Sequence, residues 1–85
     1  MYEILSAVPL ANHKLLLTFE NMEKKIFDMS NELTGVFEQL KDSRNFNAVK
    51  IVHGAPTWLL PNELEIDLCP DTLYIISTPF EEVTA

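Results

Sequence analysis

The sequence predicts an α+β domain. It is expected to be a small antiparallel sheet of about six short strands, in the order three strands, helix, three strands, helix, packed with one or two short helices. Three observations carry this reading. Runs of strand-forming residues are separated by short turns, and short turns join antiparallel neighbours. A helical spacing, Leu33, Val36, Phe37 and Leu40, falls between two groups of such runs. The length of 85 residues, with no linker, repeat or low-complexity stretch, makes residues 1–85 a single domain.

Residues 3–10 read as the first strand, which Pro9 confines to an edge or an end. Asn12 marks a turn, and within residues 13–19 Leu15, Leu17 and Phe19 share one face at period two. Residues 20–23 turn the chain back into a third strand, residues 24–29. A two-residue loop there sets Leu17 against Ile26 and Leu16 against Phe27. Ser30 is a fair N-cap for the helix that follows. Gly35 interrupts that helix at about 1 kcal/mol relative to Ala, so one short helix or two turns are expected. Asp42 or Ser43 caps a further turn that presents Phe46.

Residues 48–53 read as a strand, Gly54-Ala55-Pro56 as a turn, 57–60 as the strand returning, and Pro61-Asn62 as a break. In residues 63–68, Leu64, Ile66 and Leu68 alternate with Glu63, Glu65 and Asp67, the pattern of a half-buried strand. Pro70 suits the first position of a helix, with Asp71 in its first turn. Leu73, Tyr74 and Ile76 supply that helix's contacts, and residues 78–85 read as a loose tail.

Composition excludes several classes. At 47% hydrophobic and 22% charged the chain is not disordered. Its apolar runs of three or four residues are far short of the ~18–20 needed for a membrane span, and no signal peptide is visible. The single cysteine, Cys69, forms no internal disulfide and no C-x-x-C site. The expectation is a cytoplasmic protein without membrane contact. Thirteen acids against six bases give a charge of −7. Residues 1–50 hold seven acids and all six bases, whereas residues 51–85 hold six acids and no base. Direct nucleic-acid binding needs clustered Lys and Arg and is not expected.

Leu15-Leu16-Leu17-Thr18-Phe19, Lys25-Ile26-Phe27-Asp28 and Gly35-Val36-Phe37-Glu38-Gln39-Leu40, with Asp42 and Phe46, follow each other at characteristic intervals. The series closes with Pro61-Asn62, Leu64, Ile66-Asp67 and Pro70-Asp71-Thr72-Leu73-Tyr74. Over residues 4–76 it resembles the small bacterial family catalogued as domain of unknown function twenty-four forty-two. The resemblance implies an α+β domain without assigned activity. Some relatives carry an added helix-turn-helix, and some are encoded beside small toxin-like proteins. No such extension stands in this sequence, so DNA binding is not carried over. The family often has glycine where this chain has Met22, and again where it has Glu63. It often has tryptophan where this chain has Leu60, with Trp58 two positions earlier.

The ladder Glu63, Glu65, Asp67 is the first candidate site. Same-face strand neighbours lie about 6.6 Å apart, and a single metal ion bound at roughly 2.0–2.5 Å cannot gather all three. The row suits a basic partner surface, or water with a lysine on a neighbouring strand. Trp58 and Tyr74 are candidate interface anchors, set against the need for eight aromatics to fill a small core. His13, His53 and Cys69 lack ligand spacing, so no metal, cofactor or catalytic residue is expected. Asp28 reads as a cap or backbone acceptor, with a lone acid/base role as the alternative.

These readings favour a non-enzymatic protein-interaction or regulatory domain, with Glu63, Glu65, Asp67 and Trp58 facing a basic protein partner. A homodimer through an edge strand is also expected. Two alternatives stand beside it. One is a small ligand-binding protein or enzyme using Asp28, His53 or Asp67 in a pocket. The other is an accessory module of a transcription-related or toxin–antitoxin-like pair.

Overall fold

The computed structural model describes residues 2–80. It is a small α+β fold, but its strands form two antiparallel sheets rather than one. Strands β1 (Ile4–Leu10), β2 (Lys14–Phe19) and β3 (Lys24–Asp28) come first. A 3₁₀ helix (Gly35–Lys41) and one turn of α-helix, α1 (Ser43–Phe46), follow. Then come β4 (Lys50–Val52), β5 (Ala55–Leu59), β6 (Glu65–Asp67), α2 (Pro70–Ile76) and β7 (Thr78–Pro79). The larger sheet has the order β1-β2-β3-β7 and the smaller the order β4-β5-β6.

The break between the sheets has a local cause. The Ile4 N–H donates to the Gly54 carbonyl at 2.9 Å, so the two sheets touch at the start of β1. The β1 register then shifts between Ile4 and Ser6, and Pro9 lacks an N–H farther along. A bulge and a proline both stop an edge strand from extending its pairing. At the junction Gly54 has φ +76°, and a Cβ there would lie 2.9 Å from the Cβ of Glu3.

In β2 the alternation holds: Leu15, Leu17 and Phe19 are fully buried. The β2–β3 register is one residue from expectation, with Leu15 opposite Phe27, Leu16 opposite Ile26 and Leu17 opposite Lys25. The connection is three residues long, not two. Met22 N–H donates to the Phe19 carbonyl and Phe19 N–H to the Glu23 carbonyl, both at 2.9 Å, with Met22 at φ +70°. That is a type I turn closed by a left-handed residue. A one-residue slip exchanges faces, and the observed register buries Phe27 where the expected one would expose it.

The helix does not start at Ser30. It starts at Gly35, whose φ of +58° lets the chain reverse before the 3₁₀ turn. Asp42 caps α1 as expected, its carboxylate accepting the Arg44 N–H at 3.0 Å, and Phe46 is buried. The turn expected at Gly54-Ala55-Pro56 is tighter, with His53 (φ +51°) and Gly54 alone in it and Ala55 and Pro56 already in β5. Residues 78 and 79 pair with Ile26 and Lys25 as β7, so the loose tail does not begin at 78. Residues 81–85 of that expected tail lie outside the described residues. Both sheets, the 3₁₀ helix, α1 and α2 feed one core through Ile4, Phe19, Phe27, Leu40, Phe46, Trp58, Ile66 and Leu73.

Candidate functional site

The β5–β6 hairpin carries the predicted acidic surface. Its turn repeats the one between β2 and β3. Glu63 N–H donates to the Leu60 carbonyl and Leu60 N–H to the Leu64 carbonyl, both at 2.9 Å, with Glu63 at φ +65°. Asn62 accepts the Leu64 N–H at 3.2 Å, just as Asn21 accepts the Glu23 N–H at 3.0 Å. Glu63 therefore stands in the turn, while Glu65 and Asp67 stand on β6 on either side of buried Ile66. The three acids remain exposed but are not one straight ladder.

Trp58 does not join them. It lies opposite Ile66 with 1% of its surface exposed, stacks on Phe46, and donates its indole N–H to the Phe46 carbonyl at 2.9 Å. It offers a partner no surface, because the same aromatic bulk is needed to close the core. Its neighbour Leu59 takes the outward position opposite Glu65 and is 69% exposed. Leu64, expected inward, is exposed at the end of the hairpin. The outward face thus holds Leu59 beside Glu65 and Asp67, with Glu63 in the adjoining turn, while Leu64, opposite buried Leu60, falls on the other face. Alternation about buried Trp58, which sends its immediate neighbour to the other face, is the signal that points to Leu59.

The other candidates lie apart. His13 sits in the β1–β2 turn, its ring 3.1 Å from the Lys41 carbonyl and edge-on to Phe46. His53 is in the β4–β5 turn and Cys69 stands at the N-cap position of α2. The Thr72 N–H and hydroxyl and then the Asp71 N–H, at the start of α2, hold the exposed Cys69 thiol below its usual range, although the thiol makes no capping hydrogen bond. Asp28 accepts the Ser30 N–H at 2.9 Å. Ser30, through its side chain and then its backbone, and nearby Lys14 hold that carboxyl below the usual carboxylate range. Among the described residues no three His, Cys, Asp or Glu side chains stand where one metal ion could be held. A cleft of about 250 Å³ is lined by His13, Ser43, Phe46 and the β1–β2 turn, and one of about 300 Å³ by Lys14, Asp28 and Ile76. His53 and Asp67 line neither.

Tyr74 anchors α2 to the larger sheet. Tyr2 stacks on one side of its ring at 3.7 Å, and the Lys25 ammonium lies 3.9 Å from the ring centre. Its hydroxyl donates to Glu23 at 2.6 Å, which, with desolvation, holds the phenol above its ordinary pKa.

No helix among the described residues is long and apolar enough to cross a membrane. Comparison with known proteins finds no matching family model, no matching curated protein and no matching solved structure.

Proposed function

We propose that this chain is a non-enzymatic protein-interaction or regulatory domain, working in the cytoplasm, whose β5–β6 hairpin takes a basic protein partner. The supporting observation is the surface of that hairpin. Exposed Leu59 lies opposite Glu65 on the outward face, with Asp67 two positions along the same face and Glu63 in the adjoining turn, in a chain with no base after Lys50. Apolar contact supplies affinity at such a surface, and the carboxylates supply attraction and register for Lys or Arg. Membership of domain family twenty-four forty-two belongs to the same proposal. Met22 and Glu63, where that family often has glycine, both have the left-handed backbone that glycine favours, which supports it.

A pull-down from native lysate tests the reading, using the wild-type chain beside a variant carrying Glu63→Gln, Glu65→Gln and Asp67→Gln. A specific basic protein retained by the wild type, released by moderate salt and lost from the variant is the expected result. Equal retention by both chains, or none by either, contradicts it.

A further inference from the structure

The outer face of the larger sheet carries a pattern that matches itself. Cross-strand register places Val8, Leu16, Ile26 and Thr78 in one row over β1, β2, β3 and β7. The adjoining row holds Leu10, Lys14 and Asp28. These positions alternate with buried Leu15, Leu17 and Phe27 and so point away from the core. Val8 is 47% and Leu10 37% exposed, and Leu16 and Ile26 are half-buried. A solvated sheet face is ordinarily polar, whereas three of the four central positions here are apolar. The 300 Å³ cleft lies beside them, between β3 and Ile76 at the end of α2.

We propose that a second copy of this chain packs on this face, related by a twofold axis that runs along the strands between β2 and β3. Such an axis exchanges β2 with β3, so each β2 position overlies the directly opposite β3 position of the other copy. Leu16 of one copy then meets Ile26 of the other, and Lys14 meets Asp28. Each contact occurs twice, as a self-complementary interface requires. The same axis brings β1 over the β7 side, setting Val8 on Thr78 and carrying Leu10 toward the cleft of the opposite copy. The two sheets lie about 10 Å apart, with strands crossing at about 30°. Lys14 and Asp28 already face each other across β2 and β3 within one copy. Because this axis exchanges their positions, the same pair meets its complement on the other copy. That self-complementarity favours a second copy as the occupant. The surface is separate from the acidic hairpin, so the inference stands independently of the partner proposed above.

The face spans three strand spacings of about 4.8 Å and about six residues at roughly 3.3 Å, which makes a small interface. Association is therefore weak and concentration-dependent. Sedimentation equilibrium of the full chain at low salt, from about 20 µM to about 1 mM, reads it directly. The mass is expected to rise from 9.7 kDa toward twice that value. Val8→Asp combined with Leu10→Arg, both at exposed positions, holds the chain monomeric with an unchanged circular dichroism spectrum. Lys14→Glu sets acid against acid, Asp28→Lys sets base against base, and each weakens self-association about tenfold or more. An equimolar mixture of those two variants recovers a heterodimer, because every charge then meets its opposite. A chain that stays at 9.7 kDa throughout overturns the proposal. So does a dimer that Val8→Asp with Leu10→Arg leaves intact, or one that Lys14→Glu leaves at full strength.

Discussion

The two sheets share one core but turn different chemistry outward. The larger sheet buries Leu15, Leu17, Phe19 and Phe27 and presents an apolar row beside one base and one acid. The smaller sheet reaches the core through Trp58 and Ile66 and presents Glu65, Asp67 and Leu59. The inward faces are interchangeable in kind, since any well-packed apolar side chain serves there. The outward faces are not. Their difference is the basis for assigning self-association to one sheet and a basic partner to the other.

The largest expected effect tests whether the sheets form one cooperative unit. Trp58→Ala removes the main side chain that the smaller sheet lends the core and leaves the Phe46 carbonyl without its indole partner. A loss of about 3–5 kcal/mol is expected, comparable to the whole stability of a small domain. Urea unfolding followed at amides of both sheets should show them melting together. Separate transitions would break the picture of a shared core.

Next is the junction. Gly54→Ala puts a Cβ against Glu3 at a left-handed backbone position, with an expected cost of about 1–3 kcal/mol. Thermal denaturation checks this, and a shift of several degrees is expected. No change would mean that Glu3 gives way and that residue 54 carries a side chain at its left-handed backbone without strain.

The twin turns allow a matched comparison. Met22→Gly in the larger sheet and Glu63→Gly in the smaller each relieve a non-glycine residue at positive φ. Each should stabilise the chain by about 0.5–1 kcal/mol, and by similar amounts, since the two hydrogen-bond patterns agree. Unequal gains would show that the hairpins differ in more than sequence.

The smallest effect is on acid stability. Asp28 accepts hydrogen bonds from Ser30, and Asp42 from the Arg44 side chain and backbone, so both carboxyls titrate below their usual range. A folded-state value below the unfolded one stabilises the fold above pH about 4, and that stabilisation is lost as pH falls through the lowered values. Asp42→Asn should therefore flatten the fall in stability between about pH 4 and 2, measured by denaturant unfolding at each pH.

Particular residues show what could be read in advance. The strict alternation of Leu15, Leu17 and Phe19 announced a buried face because burial imposes period two. The cap at Asp42 and the burial of Phe46 were legible from local chemistry alone. The loop lengths were not, because Met22 and Glu63 take a conformation whose usual signature is glycine. The division into two sheets was hidden as well, since it depends on where β1 stops pairing. The two-residue strand β7 rests on long-range bonds such as Phe80 N–H to the Lys24 carbonyl, which no local pattern encodes. At the acidic surface the charges were visible in sequence. The exchange of Trp58 for Leu59 as the outward residue was not, because it requires knowing which face of β5 meets the core.

The most direct measurement is an amide chemical-shift titration of the labelled chain with the partner retained by the wild type and lost by the glutamine variant. Protein concentration is held low enough that the chain is monomeric. Shifts gathered over residues 59–67, with the amides of Val8, Leu16 and Ile26 unmoved, are the predicted result. Shifts centred on the larger sheet, with residues 59–67 silent, would contradict the division of labour between the two faces.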